Sequence, residues 1–327
     1  MQGVSRRSQQ HKANPTQVKR AKPAQRRATV GDWIEGARLR TLPLAVVPVV
    51  LGTGAAIAAA PGEYHWVRAL AALAVALLLQ IGVNYSNDYS DGIRGTDDHR
   101  VGPPRLTGSG AVEPRIVRNV AFACFAAAAL VGLALVIVTR QWWLIAVGVA
   151  SILAAWYYTG GKRPYGYAGM GELFVFVFFG LVATLGTTYV QILRIPGDAW
   201  WLAVAAGLFS CAVLMINNIR DIAQDGVAGK RTLAVMVGER TALRLFTAMV
   251  LLPFVATVLL GMLYPLVHFS WFALLLLVPA LLIAWTGTTP KEQILALKLT
   301  SFGALAWALL MAAGLVFPIM TPAPPAF

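Results

Sequence analysis

The sequence predicts an all-α fold: an integral membrane bundle of nine transmembrane helices around an active-site cavity on the cytoplasmic side. Composition is the first reason. Of 327 residues, 58% are hydrophobic and 13% charged, and the mean hydropathy is +0.66, the balance of a chain that lives in lipid. The second is that nine apolar stretches approach the ~20 residues a helix needs to cross a hydrocarbon core. The third is the placement of Lys and Arg. With the N-terminus inside, 24 of the 27 basic residues fall on the cytoplasmic side, and only Arg68, Arg140 and Arg194 fall opposite.

In chain order, residues 1–30 are rich in Gln, Arg and Lys and have no apolar core. They are expected to form a disordered basic cytoplasmic tail rather than a signal peptide, leaving 31–327 as one membrane domain. The first span is expected at 41–60, entered through Arg38, Arg40 and Pro43. The second, 67–87, ends in a polar run, and the third, 117–138, carries Cys124 as a small core residue. The fourth, 142–160, opens on Trp142 and Trp143, and the sixth, 199–217, on Trp200 and Trp201, both as interfacial belts. The fifth, 170–191, is Phe-rich, and Gly180 and Gly186 suit close helix packing there. Spans at 242–263, 268–286 and 300–320 complete the set, which puts the C-terminus on the side opposite the tail. Both long loops, 88–116 and 218–241, follow even-numbered spans four apart, so they share one side and hint at a diverged repeat.

Each long loop begins with an oxygen-rich helix end. Only 14 residues of the chain are Asp or Glu, yet Asn84, Asn87, Asp88, Asp91 and Asp97 gather after the second span, and Asn218, Asp221 and Asp225 after the sixth. Asn84, Asp88 and Asp91 are spaced four and three, and Asn218, Asp221 and Asp225 three and four, so each set shares one helical face. Gly92 and Gly95 then break the first helix, letting Asp97 or Asp98 reach back, and Gly226 and Gly229 end the second. Carboxylates so close repel one another, and a divalent cation relieves this. Hard oxygen ligands at a membrane edge suit Mg²⁺, so Asp88, Asp91, Asp97, Asp221 and Asp225 are the candidate metal ligands. Two such patches facing one membrane surface can hold one diphosphate between them, with Asn84 and Asn218 completing the shell.

A diphosphate also needs cations. Lys162, four residues after Tyr158 in the loop behind the fourth span, is the favoured one. Arg220, beside Asp221, follows, then Lys230 with Arg94, Arg105 and Arg231; Arg40 is a further candidate for substrate contact. The net charge of +13 lies along the cytoplasmic membrane face against anionic lipid, so no nucleic-acid partner is expected. The two cysteines sit in apolar stretches and the four histidines are scattered, so neither a disulfide framework nor zinc is expected.

Together these motifs resemble the UbiA superfamily of membrane prenyltransferases over about residues 38–320. Asn87-Asp88-Tyr89-Ser90-Asp91 with Asp97, Gly229-Lys230-Arg231-Thr232-Leu233-Ala234-Val235 before Gly238, Arg40-Thr41-Leu42-Pro43, and Arg105-Leu106 before Gly108-Ser109-Gly110 resemble its 1,4-dihydroxy-2-naphthoate polyprenyltransferase branch. Many members carry an Asp where Gly95 stands, and Asp97 takes that place in this branch. Leu39 departs from the Pro common there.

The resemblance implies prenyl transfer from a polyprenyl diphosphate to 1,4-dihydroxy-2-naphthoate, with loss of CO₂ and diphosphate, in the plasma membrane. Asp88, Asp91, Asp221, Asp225 and Lys162 would then be catalytic. Tyr85, Tyr89, Tyr157, Tyr158, Phe174, Phe176, Phe178 and Phe179 are candidates to line a dry cavity for the allylic cation. Two other readings are another acceptor within the superfamily, such as 4-hydroxybenzoate, and a cation-coupled transporter, against which both clusters sit at one membrane edge rather than the midplane.

Overall fold

A computed structural model describes residues 27–95 and 105–320, with side chains through residue 317. Most of the expected tail, and Asp97, lie outside the described residues. Helices account for nearly all of the remainder, and no strand occurs among the described residues.

A short helix, α1 (Val30–Gly36), starts from a reciprocal cap in which Thr29 and Asp32 satisfy each other's backbone N–H groups. A 3₁₀ turn at Leu39–Thr41 leads into α2 (Pro43–Ala59), bent by 46° from the preceding segment. Then come α3 (Trp66–Arg94), α4 (Pro114–Thr139), α5 (Leu144–Tyr157), α6 (Gly171–Ile192) and α7 (Gly197–Val227). A single-turn helix α8 (Leu233–Val237) precedes α9 (Glu239–Gly261), α10 (Pro265–Thr286) and α11 (Pro290–Met320).

All nine apolar stretches are helical. Seven of the helices (α3, α4, α6, α7, α9, α10 and α11) are long and apolar enough to cross a membrane, and the bent segment ending in α2 makes an eighth. The remaining one, α5, has 14 residues and spans only about 21 Å at 1.5 Å per residue. A multi-pass membrane protein follows directly. Large apolar side chains such as Leu130, Ile137, Leu275 and Leu282 point outward, as they do toward lipid.

The axis of the bundle is α7, the most deeply buried of the seven. Without a hydrophobic drive between helices in lipid, small residues let backbones approach. Ala199, Ala203, Ala206 and Gly207 serve that purpose on α7: a Cβ placed on Gly180 of α6 would lie 2.5 Å from the Gly207 Cα. α11 packs against α2, α7 and α10, bringing the last described helix onto one of the first. One polar cluster in this core is paired, with Trp307 Nε1 donating to Thr257 Oγ1 at 3.0 Å and Thr257 bonded to Ser270 at 2.9 Å.

Several helices are longer than the bilayer core, among them the two that carry the acidic residues. At 29 and 31 residues, α3 and α7 are about 44 and 46 Å long, well beyond the ~30 Å hydrocarbon core. That length is enough to carry their last turns, where the acidic residues sit, past the apolar zone.

Candidate active site

One cavity of about 560 Å³ opens among α2, α3, α4, α5, α6 and α7, and both acidic helix ends reach it. Its polar end is walled by Asn84, Asn87 and Asp91 of α3 and by Asn217, Asn218, Asp221, Gln224 and Asp225 of α7. Arg38, Arg105, Lys230 and Tyr158 enter from the connecting segments. Its apolar end runs between Val136 of α4, Ile145 and Val149 of α5, and Phe178 and Val182 of α6.

Loop contacts bring the two clusters together. Asp91 is 4% exposed; it accepts from Arg105 Nη1 at 2.7 Å on one oxygen and from the Tyr167 hydroxyl on the other. The same Tyr167 ring lies 5.1 Å from the Lys230 ammonium, which stands 3.6 Å from Asp225 Oδ1. The Tyr167 carbonyl accepts from Arg231 N at 3.0 Å. A chain of contacts thus runs from Asp91 through Tyr167 and Lys230 to Asp225, pairing each carboxylate with a cation. Gly229 turns with φ +72° after α7, a left-handed conformation a glycine adopts freely, and Lys230 follows it into the cavity.

The loop after α5 is tied to the end of α3. Thr159 Oγ1 donates to Asn87 Oδ1 at 2.7 Å, and Arg94 donates to the carbonyls of Thr159 and Gly161. Tyr158 then faces the cavity, while Tyr165 donates to the Ala154 carbonyl at 2.7 Å. Burial pushes the Tyr165 hydroxyl above the usual phenol range, so it remains a donor at any physiological pH.

The entry segment is fixed in the same way. Asn84 Nδ2 donates to the Ala37 carbonyl at 2.9 Å and Tyr85 to the Trp33 carbonyl at 2.8 Å. Between these ties and α2, Arg38 adopts φ +56° and reaches the cavity.

Of the residues singled out in the sequence, Asn84, Asp91, Tyr158, Asn218, Asp221, Asp225 and Lys230 line this cavity. Others lie elsewhere. Both oxygens of Asp88 accept backbone N–H groups, from Thr107 at 2.8 Å and Leu106 at 2.9 Å, away from the cavity wall. Lys162 is exposed in its loop. Arg40 pairs with Glu35 at 2.5 Å. Arg220 is buried against Asp221 and Asn217 beside the cavity rather than on its wall. Of the aromatic candidates, Phe174, Phe178 and Phe179 join Tyr158 on the wall; Tyr85 and Tyr89 pack outside it, Tyr157 is half exposed, and Phe176 lies under Gly207.

Tyr167 and Glu172 carried no sequence signal. Glu172 sits buried at the start of α6 and accepts from Asn218 Nδ2 at 3.0 Å, which leaves the Asn218 carbonyl oxygen for the cavity.

Among the described residues, no three acidic, histidine or cysteine side chains stand close enough to share one ion. Mg²⁺, however, is bound by one or two carboxylates, with water and substrate phosphate supplying the rest. Asp225 Oδ2 is buried and accepts no hydrogen bond, an oxygen left over for such a partner. The donor set is all oxygen, which fits this ion.

Comparison with known proteins decides the family. Residues 45–306 match the UbiA prenyltransferase family. The chain belongs to this family. It is an enzyme of prenyl transfer. It is 49% identical over 290 residues, covering 89% of this chain and 98% of the relative, to 1,4-dihydroxy-2-naphthoate octaprenyltransferase of Mycobacterium tuberculosis. It is 36% identical to the protein of the same name from Escherichia coli, covering 80% and 85%. Its fold matches a UbiA homolog from Archaeoglobus fulgidus bound to GPP and Mg2+, with a TM-score of 0.61 over 86% of this chain and 99% of that one at 14% identity.

Proposed function

We propose that this enzyme transfers a polyprenyl group from a polyprenyl diphosphate to 1,4-dihydroxy-2-naphthoate, releasing diphosphate and CO₂ and forming demethylmenaquinol for menaquinone synthesis. The observation that carries the reading is the single cavity, which joins two carboxylate-bearing helix ends to an apolar arm between α4, α5 and α6. A diphosphate fits the first and an isoprenoid the second. The acceptor follows from relatives of that name at up to 49% identity.

The residues divide the work. One or two of Asp91, Asp221 and Asp225 at a time, with the carbonyl oxygens of Asn84 and Asn218 and with water, would hold Mg²⁺, which when bound neutralises the leaving diphosphate. Arg38, Arg105 and Lys230 contact its oxygens, since these are the cations the cavity holds, and Arg can fork onto two of them. As the allylic C–O bond breaks, its electron pair leaves with the diphosphate. Tyr158, Phe174, Phe178 and Phe179 flank the resulting carbocation with ring faces and exclude water. The ring carbon bearing the acceptor carboxylate forms the new C–C bond, and the C–CO₂ electrons return to the ring as CO₂ departs. Lys162, outside the wall, has no contact role in this scheme.

The membrane arrangement is part of the proposal. Nine crossings are favoured because the loop after α5 returns to the end of α3 through Asn87–Thr159 and Arg94–Gly161. If α4 crosses, its partner α5 must cross back. The excess of Lys and Arg on that side supports a cytoplasmic cavity and N-terminus in the plasma membrane, with the C-terminus opposite.

Incubating the purified protein and Mg²⁺ with labelled naphthoate and a series of polyprenyl diphosphates, and reading the lipid product by mass, tests this. Equimolar CO₂ and prenylated naphthoquinol are expected. Product from 4-hydroxybenzoate alone would reassign the acceptor.

A further inference from the structure

We propose that Asp88 is a positioning residue: its carboxylate docks the segment Arg105–Thr107 onto α3 and so aims Arg105 at the diphosphate. The inference rests on the prenyl-transfer reading above and assigns to Asp88 a task other than binding metal.

Three contacts pin that segment. Asp88, 2% exposed, accepts Leu106 N at 2.9 Å and Thr107 N at 2.8 Å, one on each oxygen. Two consecutive amides converging on one carboxylate form a charge-assisted pair of bonds, about twice as strong as neutral ones. One turn further on, α3 carries Gly92, where a Cβ would fall 2.4 Å from Thr107 Cγ2, so the segment lies directly on the helix backbone. The Leu106 side chain, 2% exposed, is sunk in a small apolar cluster with Tyr85, Val117 and Ala121.

The residue just before these contacts is the one that reaches the cavity. Arg105 Nη1 donates to Asp91 Oδ2 at 2.7 Å and to the Asn87 carbonyl at 2.9 Å. Asp88 and Asp91 therefore divide the work on neighbouring positions of α3: Asp91 lines the cavity, and Asp88, off its wall, holds the strip of chain that supplies Arg105. Register along the segment is set by the two amides; a slip of one residue would withdraw the guanidinium. An acid that completes its bonding with backbone donors and has no wall on the cavity has little left to offer a metal.

The test uses the full-length protein with Asp88→Asn, which keeps one acceptor oxygen, Arg105→Ala, and the double variant. Three readouts are needed: thermal stability, equilibrium binding of Mn²⁺ as a probe of the hard-oxygen site by EPR, and binding and turnover of geranylgeranyl diphosphate. The expected result is that Asp88→Asn weakens binding of the diphosphate about tenfold, leaves Mn²⁺ affinity within about twofold, and adds nothing in the Arg105→Ala background, because coupled residues are not additive. Weakened Mn²⁺ binding with unaltered diphosphate affinity, or effects that multiply, would overturn the proposal. If Asp88→Asn fails to fold, Gly92→Ala decides: it displaces Thr107 with both carboxylates intact, and must reproduce the diphosphate defect without the metal defect, while wild-type diphosphate affinity and Mn²⁺ affinity together contradict the inference. Absence of prenylated product from the wild type would instead defeat the functional reading, a separate outcome.

Discussion

Asp91 and Asp225 carry opposite halves of the same site, and substitutions there separate this scheme from a purely structural one. Asp91→Asn or Asp225→Asn should lower kcat/KM by about 10²–10³, as loss of one preorganised electrostatic contact does, with the protein still folded in detergent. Lys162→Ala should change kcat/KM by less than about threefold, because an exposed charge contributes little to a site it does not touch; a hundredfold loss there would return Lys162 to the catalytic set. The spacing of the acids was readable because helical periodicity alone places Asn84 with Asp91, and Asn218 with Asp225, on shared faces. Which loop cation turns inward was not. That choice depends on backbone details such as φ +56° at Arg38 and the docking of Arg105–Thr107 on α3, for which residue type gives no signal. Tyr167 was equally invisible, since a lone aromatic in a short loop has no periodicity to mark it.

At the scale of the helix, α6 and α7 set the shape of the cavity. Residues Phe176–Val182 of α6 form a π-helical segment, the kind of widened turn that recurs at functional sites. It shifts the phase of the helix, so Phe174, Phe178 and Phe179 reach the cavity while Phe176 packs on Gly207. Regular helical spacing separates Phe176 from Phe174 and Phe178, which are four apart on one face, but carries no signal of which face meets a cavity. Gly207→Leu places a side chain where even a Cβ would meet Phe176 at 2.6 Å, and overpacking of this kind costs about 1–3 kcal/mol. A fall in thermal midpoint in detergent, with product length altered before overall activity is lost, is the expected outcome; an unchanged midpoint would contradict the close α6–α7 crossing. Hydropathy located every apolar stretch, yet it overestimated α5. Trp142 and Trp143 fall in a turn before that helix, and its C-terminal end gives way to the Tyr158–Gly161 loop.

Across the whole molecule, the long helices α3 and α7, which hold the second and sixth apolar stretches, end at one cavity, and the proposed topology puts that side in the cytoplasm because Lys and Arg are in excess there. In a variant with Cys124 and Cys211 replaced by Ser, a cysteine introduced at Glu63 should react with an impermeant maleimide in intact cells. One at Arg163 should react only after permeabilisation; the reverse pattern would invert the topology. The overall architecture was legible because the bilayer imposes length and charge rules on a chain, whereas the joining of two distant loops over one cavity follows from packing that those rules do not describe.

The sharing of one diphosphate by both helix ends is tested most directly by calorimetric titration of geranylgeranyl diphosphate, with Mg²⁺, into wild type, Asp91→Asn, Asp225→Asn and the double variant. Each single change is expected to weaken binding by at least about tenfold, and the double change by clearly less than the product of the two, because they act on one ligand. Wild-type affinity in either single variant would contradict a site shared between α3 and α7.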